Sequence, residues 1–492
     1  MKSLLKWQAI SFISRGLAMA VGIVQSIVIV RILSVGEYGL ITLATSIGGA
    51  FGIYQHLGLA SGSTREISSA KNNKEIFEIF LTSVVIRYFV TIPLAVILFF
   101  ISRYISVIQY GNPALIVPLK LFAFVLLIQG VQSIFNSVIS GTQRFKQLFT
   151  YQVIIAIAGL FIYIPLIYLY RVDGFFYSLI LFNILASLSL GVMALGPLKG
   201  SFAWPQKADF RRLLRDILSI SLAIYVVKII VTYWQKSGPL LLGVSYSPEE
   251  IGLFGFALLY ATKLMAVSDS VTDINLPVLS KKFVENIEEF KSLFIGNFDK
   301  VFVFIVFAAV TAVFWVRDVF HLLIGSEKYD GSFPFVLPLV FAFIFYSVVN
   351  IVMSSILVPA KMVKEMIVGF LFMLVLTVGF YFAFNSVWGG LVTMAYAMVF
   401  GVLTNLVVLA FFSWRKLGFS FLRLKHAILI IVGLVISLQV YTDFNMTKIL
   451  TYLLGSGIYI ALVFLLKFVT KEDVQAGLRK LKTISLGAEN NG

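Results

Sequence analysis

Arg15, Arg87, Lys228 and Lys300 are cations set inside strongly apolar stretches. A cation in that setting is suited to one chemistry, the holding of an anion. An ionised side chain at bilayer depth costs about 3 kcal/mol even on permissive insertion scales, so its presence points to use. The four are not scattered. Arg15 and Lys228 stand 213 residues apart, and so do Arg87 and Lys300. A separate match fixes the same offset, Glu37-Tyr38-Gly39-Leu40 against Glu250-Ile251-Gly252-Leu253, and it also aligns Asn73, Glu75 and Phe77 with Asn286, Glu288 and Phe290. Two related halves, each with a charge at the same depth, predict a membrane protein whose site lies where the repeats meet.

Around these charges the polar residues keep helical spacing. Ser11, Arg15, Ala18, Gly22 and Gln25 share one face of the first apolar stretch. Ser221, Tyr225, Lys228, Thr232, Gln235 and Pro239 share one face of the seventh. Two such stripes are expected to line a wet cavity, with Arg15 about 14 Å into its span. Arg87 shares a face with Ser83 and Thr91, and Lys236 and Lys263 are further cavity candidates. The alternative is that these cations snorkel to headgroups or pair internally, above all Lys300, which adjoins Asp299. Lys120, near a span end, is expected to snorkel.

Among the acids, Asp269 and Asp273 lie four residues apart on one helical face. They fit either a proton or Na⁺ coupling site or a pair stabilised by nearby cations such as Lys281. Glu37 fits either a latch with Arg31 or a solvated turn. His56 reads as a packing residue. Pro93, Pro165, Pro239 and Pro277 mark places where helices kink.

The elements that must position these groups follow from composition. The chain is 60% hydrophobic and 13% charged, with a mean hydropathy of +0.97, values that exclude an ordinary soluble domain. At ~20 residues per span, about fourteen spans fit: 7–33, 38–60, 79–102, 114–138, 149–170, 174–196, 217–243, 249–275, 297–324, 333–358, 365–384, 388–414, 426–442 and 447–469. The expected fold is an all-α membrane protein with two pseudo-symmetric six-helix lobes, 1–196 and 217–414. A cytoplasmic linker at 197–216 carries a short amphipathic helix, two additional helices occupy 426–469, and a cytoplasmic tail runs over 470–492. With both termini inside, the inner segments hold about 26 of the 39 Lys and Arg, which explains the net charge of +16 by membrane orientation and not by nucleic acid. The absence of cysteine excludes disulfides and thiol catalysis. His56, His321 and His426 are too far apart to suggest a metal site, and no cofactor is expected. The N-terminal apolar run continues to Val30 without a small-residue cleavage site and reads as a retained span.

The stretch Arg31-Ile-Leu-Ser-Val-Gly-Glu-Tyr-Gly39, its echo Ser247-Pro-Glu-Glu-Ile-Gly252 and the span count together resemble the Wzx-type bacterial polysaccharide flippases of the multidrug/oligosaccharidyl-lipid/polysaccharide superfamily. The resemblance covers essentially the whole chain. It implies translocation of undecaprenyl-diphosphate-linked oligosaccharide from the inner to the outer leaflet of the bacterial inner membrane, with proton or Na⁺ coupling and no enzymatic step. It also implies a place in O-antigen, capsule, exopolysaccharide or other surface-polymer synthesis, with membrane lipids and other polysaccharide assembly proteins as partners. The family's buried cavity cations map onto Arg15, Arg87, Lys228 and Lys263. The rival readings are a lipid II flippase, a multidrug or toxin cation antiporter of the same superfamily, and a membrane polysaccharide polymerase.

Overall fold

The computed structural model describes residues 2–202, 204–263, 265, 279, 282–283, 285–438, 444–470, 472–473 and 475, without the side chains of 2–13, 15, 145, 207–209 and 218–224. The side chain of Arg15 and the whole of Asp269 and Asp273 therefore lie outside the described residues. The described elements are helical, and eight helices among them are long and apolar enough to cross a membrane. In order they are α1 (Lys2–Ile32), α2 (Val35–Gly52), α3 (Leu59–Ser69), α4 (Asn73–Tyr104), α5 (Ile116–Gln129), α6 (Gln132–Gly141), α7 (Phe145–Leu195), α8 (Lys207–Leu242), α9 (Pro248–Lys263), α10 (Ile287–Phe314), α11 (Val316–Ile324), α12 (Phe333–Val352), α13 (Val363–Trp388), α14 (Gly390–Leu417), α15 (Leu424–Ser437) and α16 (Met446–Leu465).

One compact unit comprises Met1–Ala257 and Leu374–Ala397. In it α1 lies along α7, α4 along α5, and α3 against both α6 and α8. α7 is a hairpin of two arms, because Arg171 turns the backbone at φ 54°, ψ −122°. Gly174 makes that turn tight, since a Cβ there would stand 2.0 Å from the Leu166 carbonyl oxygen. The amphipathic stretch near Arg211 is not a separate helix. It runs without a break into the seventh span as α8, with Leu213 and Ile217 in a cluster with Ile79, Phe135 and Leu190 while Arg211, Arg212 and Arg215 stay exposed. α8 packs on α2, α3 and α4, and this unit includes it.

The second unit comprises Leu258–Met373 and Met398–Gly492. Its centre is α12, whose apolar residues face protein on all sides, as a helix hydrophobic all round requires. The two additional helices are fastened to it by charges. Asp299 of α10 accepts from Lys425 at 2.5 Å, Arg423 at 2.5 Å and His426 at 3.0 Å. Lys448 of α16, 2% exposed, donates to Asp318 of α11 at 2.6 Å.

Candidate functional site

The second span does not run through. α2 ends at Gly52, one 3-10 turn covers Ile53–Gln55, Leu57 and Gly58 leave helical space at φ 45° and 69°, and α3 starts at Leu59. In an apolar span the carbonyls freed by such a break need protein partners. Tyr225 of α8 donates its hydroxyl to the Ile53 and Tyr54 carbonyls at 3.2 and 3.1 Å. Arg87 donates from Nη1 to the Gln55 carbonyl, and Thr91 donates to Gln55 Oε1 at 3.3 Å.

A second interruption lies beside the first, at Gly130–Val131 between α5 and α6. Here Tyr88 donates to the Leu127 carbonyl at 2.8 Å and Ser187 to that of Ile128 at 3.2 Å. Arg87 Nη2 reaches Ser133 Oγ, in the first turn of α6. One guanidinium thus pins two interrupted spans, and only its planar fork can serve both directions at once. Arg87 is 1% exposed. The expectation that it faces a cavity is therefore replaced by a positioning role. What it positions is the break itself, whose exposed side chains are Tyr54 and His56.

Lys228 stands three residues beyond Tyr225 on α8 and is exposed. Its charge and that of Arg87 both act on His56, whose Nδ1 is 3.4 Å from Arg87 Nη1. Tyr54 and Tyr233 share a 2.9 Å hydroxyl contact on the same surface. Two turns along, Lys236 lays its stem over α2 where Gly49 leaves room, Cε being 3.5 Å from the position of a Cβ. Among the described residues neither lysine amine has a hydrogen bond or an ion pair. The exposed Lys228 and the half-buried Lys236 are thus both uncommitted, at positions about 12 Å apart along α8. Such ammonium groups suit the oxygens of a phosphate ester, which they can follow as it moves. The described residues contain no group of His, Asp and Glu that could hold a metal ion.

Other candidates fall elsewhere. Gln25 turns toward α7, its Oε1 lying 3.1 Å from where a Cβ on Gly159 would be. Lys300 spends its charge on Asp473 at 2.6 Å. The repeat explains this last displacement. Asn72 caps α4 and Asn286 caps α10, so the third span of the second half is shifted one residue from the offset that pairs Arg87 with Lys300. A one-residue slip turns a helix by about 100°. Lys263 is half-buried at the end of α9.

The offset is accurate at the α1–α2 and α8–α9 turns. Ser34 and Glu37 form a capping box, and Ser247 and Glu250 form its copy. A Cβ on Gly39 would stand 1.8 Å from the Pro248 oxygen, and one on Gly252 would stand 2.0 Å from the Val35 oxygen. These contacts are reciprocal under the repeat, so α2 and α9 touch backbone to backbone around a local twofold. Gly39→Ala is expected to lower thermal stability by about 1–3 kcal/mol, the usual cost of forcing atoms into a packed contact. Gly252→Ala should match it, and Gly22→Ala, with nothing within 4 Å, should not. Equal melting temperatures for all three would refute the crossing.

Arg171 latches Glu37. It donates from Nε and Nη2 to the two carboxylate oxygens at 2.9 and 2.6 Å, and from Nη1 to the Ile32 carbonyl at 2.7 Å. Arg171 carried no signal in the sequence beyond its place in a short loop. Burial pushes the Glu37 carboxyl up, but the bonds from Arg171 and Ser34 outweigh it and hold the group below its ordinary value. A depressed carboxylate contributes fully above its unfolded pKa and loses its contribution as pH falls through the folded one. The stability gap between wild type and Arg171→Gln is therefore expected to stay constant from about pH 7 to 5 and to close below the ordinary carboxylate value of about 4.3. A gap that widens on acidification would exclude the latch.

A family model described as polysaccharide biosynthesis protein matches residues 28–334. No curated protein sequence matches. Among solved structures the chain is similar to an inward-facing multidrug resistance MATE family transporter of the MOP superfamily, with a TM-score of 0.68 and 14% identity over 83% of this chain and 98% of that one. It is similar to the lipid II flippase MurJ in an inward closed conformation, with a TM-score of 0.70 and 14% identity over 93% and 98%. A eukaryotic MATE transporter follows at 0.59, with 16% identity over 85% and 97%. At these identities the likeness is one of fold.

Proposed function

The chain belongs to the polysaccharide biosynthesis protein family, and from that premise we propose that it is a flippase for polyprenyl-diphosphate-linked oligosaccharide in the bacterial inner membrane. The observation that carries the reading is the exposed Lys228, without a hydrogen bond or ion pair among the described residues, beside an interrupted span whose freed carbonyls Arg87 and Tyr225 hold. A diphosphate carries about two negative charges and crosses bare hydrocarbon at a negligible rate, because stripping its water is so costly. Fixed ammonium groups at bilayer depth offset that cost while the polyprenyl chain stays in lipid. Alternating access between two repeats then moves the headgroup with no bond made or broken. Proton or Na⁺ coupling belongs to the same proposal, with Asp269 and Asp273 as the groups to test.

A cation extruder on this fold would need acids where this chain places Lys228 and Lys236. Lipid II has the same diphosphate chemistry and is the nearest alternative cargo. The deciding experiment locates lipid-linked oligosaccharide by leaflet in cells depleted of the protein. Sugar-bearing undecaprenyl diphosphate trapped on the cytoplasmic face, and released on re-expression, is the expected result. Normal exposure outside overturns the assignment.

A further inference from the structure

Between α4 and α5 a trough of about 590 Å³ opens on the outer surface of the first unit. Its floor is made by small side chains, Ala95 and Ala123, each 3% exposed, between larger ones such as Phe99, Phe124 and Leu127. The trough starts at Tyr88 and ends at Phe99 and Phe100, and its rim is open, with Phe100 75% and Phe124 48% exposed. Eleven residues of helix separate Tyr88 from Phe99, about 16 Å. Half of a ~30 Å hydrocarbon core is about 15 Å, so the trough has the length of one leaflet.

The closed end is cationic. Lys120 Nζ sits over the Phe99 ring at 5.2 Å, and Arg103 lies one helical turn beyond Phe99 on α4. No Asp or Glu occurs between Glu78 and Asp173, so this part of the chain cannot neutralise either cation itself. Among the described residues neither enters a hydrogen bond or an ion pair. An apolar slot one leaflet long that ends under two unpaired cations has the shape and charge of an anionic amphiphile.

We propose that the α4–α5 trough is a binding site for an anionic glycerophospholipid, with one acyl chain in the slot and the phosphate at Lys120 and Arg103. A polyprenyl cargo fits less well, because its chain far exceeds one leaflet. The site does not depend on the proposed cargo. The test uses the full-length protein in detergent, with phosphatidylglycerol and phosphatidylcholine of identical chains added separately and bound lipid counted by native mass spectrometry. At about fivefold per basic side chain near a lipid surface, wild type is expected to prefer phosphatidylglycerol by about thirtyfold. Arg103→Gln with Lys120→Gln should abolish the preference while the protein stays monodisperse. If the two lipids bind equally to wild type, the trough holds annular lipid only and the proposal fails. If the double variant keeps the preference, the headgroup lies elsewhere and the proposal fails too. Displacement of phosphatidylglycerol by equimolar undecaprenyl phosphate would assign the slot to the cargo tail and overturn the phospholipid.

Discussion

Lys228→Ala is expected to lower export of lipid-linked oligosaccharide by about ten- to a hundredfold, the loss that follows from one charge-assisted contact worth about 1.5–3 kcal/mol. Abundance and melting temperature should stay near wild type, because Lys228 is exposed and has no partner among the described residues. Arg87→Ala should behave differently. Its guanidinium holds the Gln55 carbonyl and Ser133, so its loss leaves a buried acceptor at the break unsatisfied, at about 1–3 kcal/mol. Export and protein level should fall together. Arg87→Lys should recover little, since a single ammonium lacks the fork that reaches both helices. Matched-level export assays beside thermal unfolding in detergent read both quantities. If Lys228→Ala exports normally, the cationic surface loses its cargo role; if Arg87→Ala is as stable as wild type, the two interrupted spans need no pin.

The contrast between these two residues marks where sequence reading stops. Both were legible as costly charges in apolar spans, and that inference needs only hydropathy and period. Their division of labour was not legible, because it depends on the break at residues 53–58. Gln55-His56-Leu57-Gly58 carries one glycine and no proline, and hydropathy alone passes it as span. The repeat was readable at the α2 and α9 turns, where capping boxes and glycines leave chemical signatures at fixed spacing. It failed by one residue at α10, because the offset aligns Asn73 with Asn286, whereas the residue that caps α4 as Asn286 caps α10 is Asn72. Arg171 illustrates a different limit. A loop arginine becomes a latch only through the φ of 54° that turns α7 back on itself.

The two additional helices read in sequence as an appendage, with no counterpart in either repeat, yet removing them is expected to prevent accumulation of the protein. Ending the chain before Arg423 strips Asp299, 6% exposed, of its Arg423, Lys425 and His426 partners, and strips Asp318 of Lys448. Orphaning the buried Asp299 costs about 3–5 kcal/mol, and the partly buried Asp318 adds to it, a loss that approaches the whole stability of an ordinary domain. Point variants separate this from simple loss of packing. Lys448→Ala should destabilise by about 3–5 kcal/mol, because it leaves Asp318 charged without its partner and removes a buried ammonium that lies over the Phe314 and Trp315 rings. Lys448→Met combined with Asp318→Asn removes the charge and keeps the volume, so it should recover most of that loss. Detergent-solubilised melting curves of the single and double variants decide the matter. A double variant as unstable as Lys448→Ala would mean that the pair's geometry, and not its charge balance, holds α16 in place. Recovery would mean that the additional helices stay fixed to the second unit because its acids cannot remain charged without them.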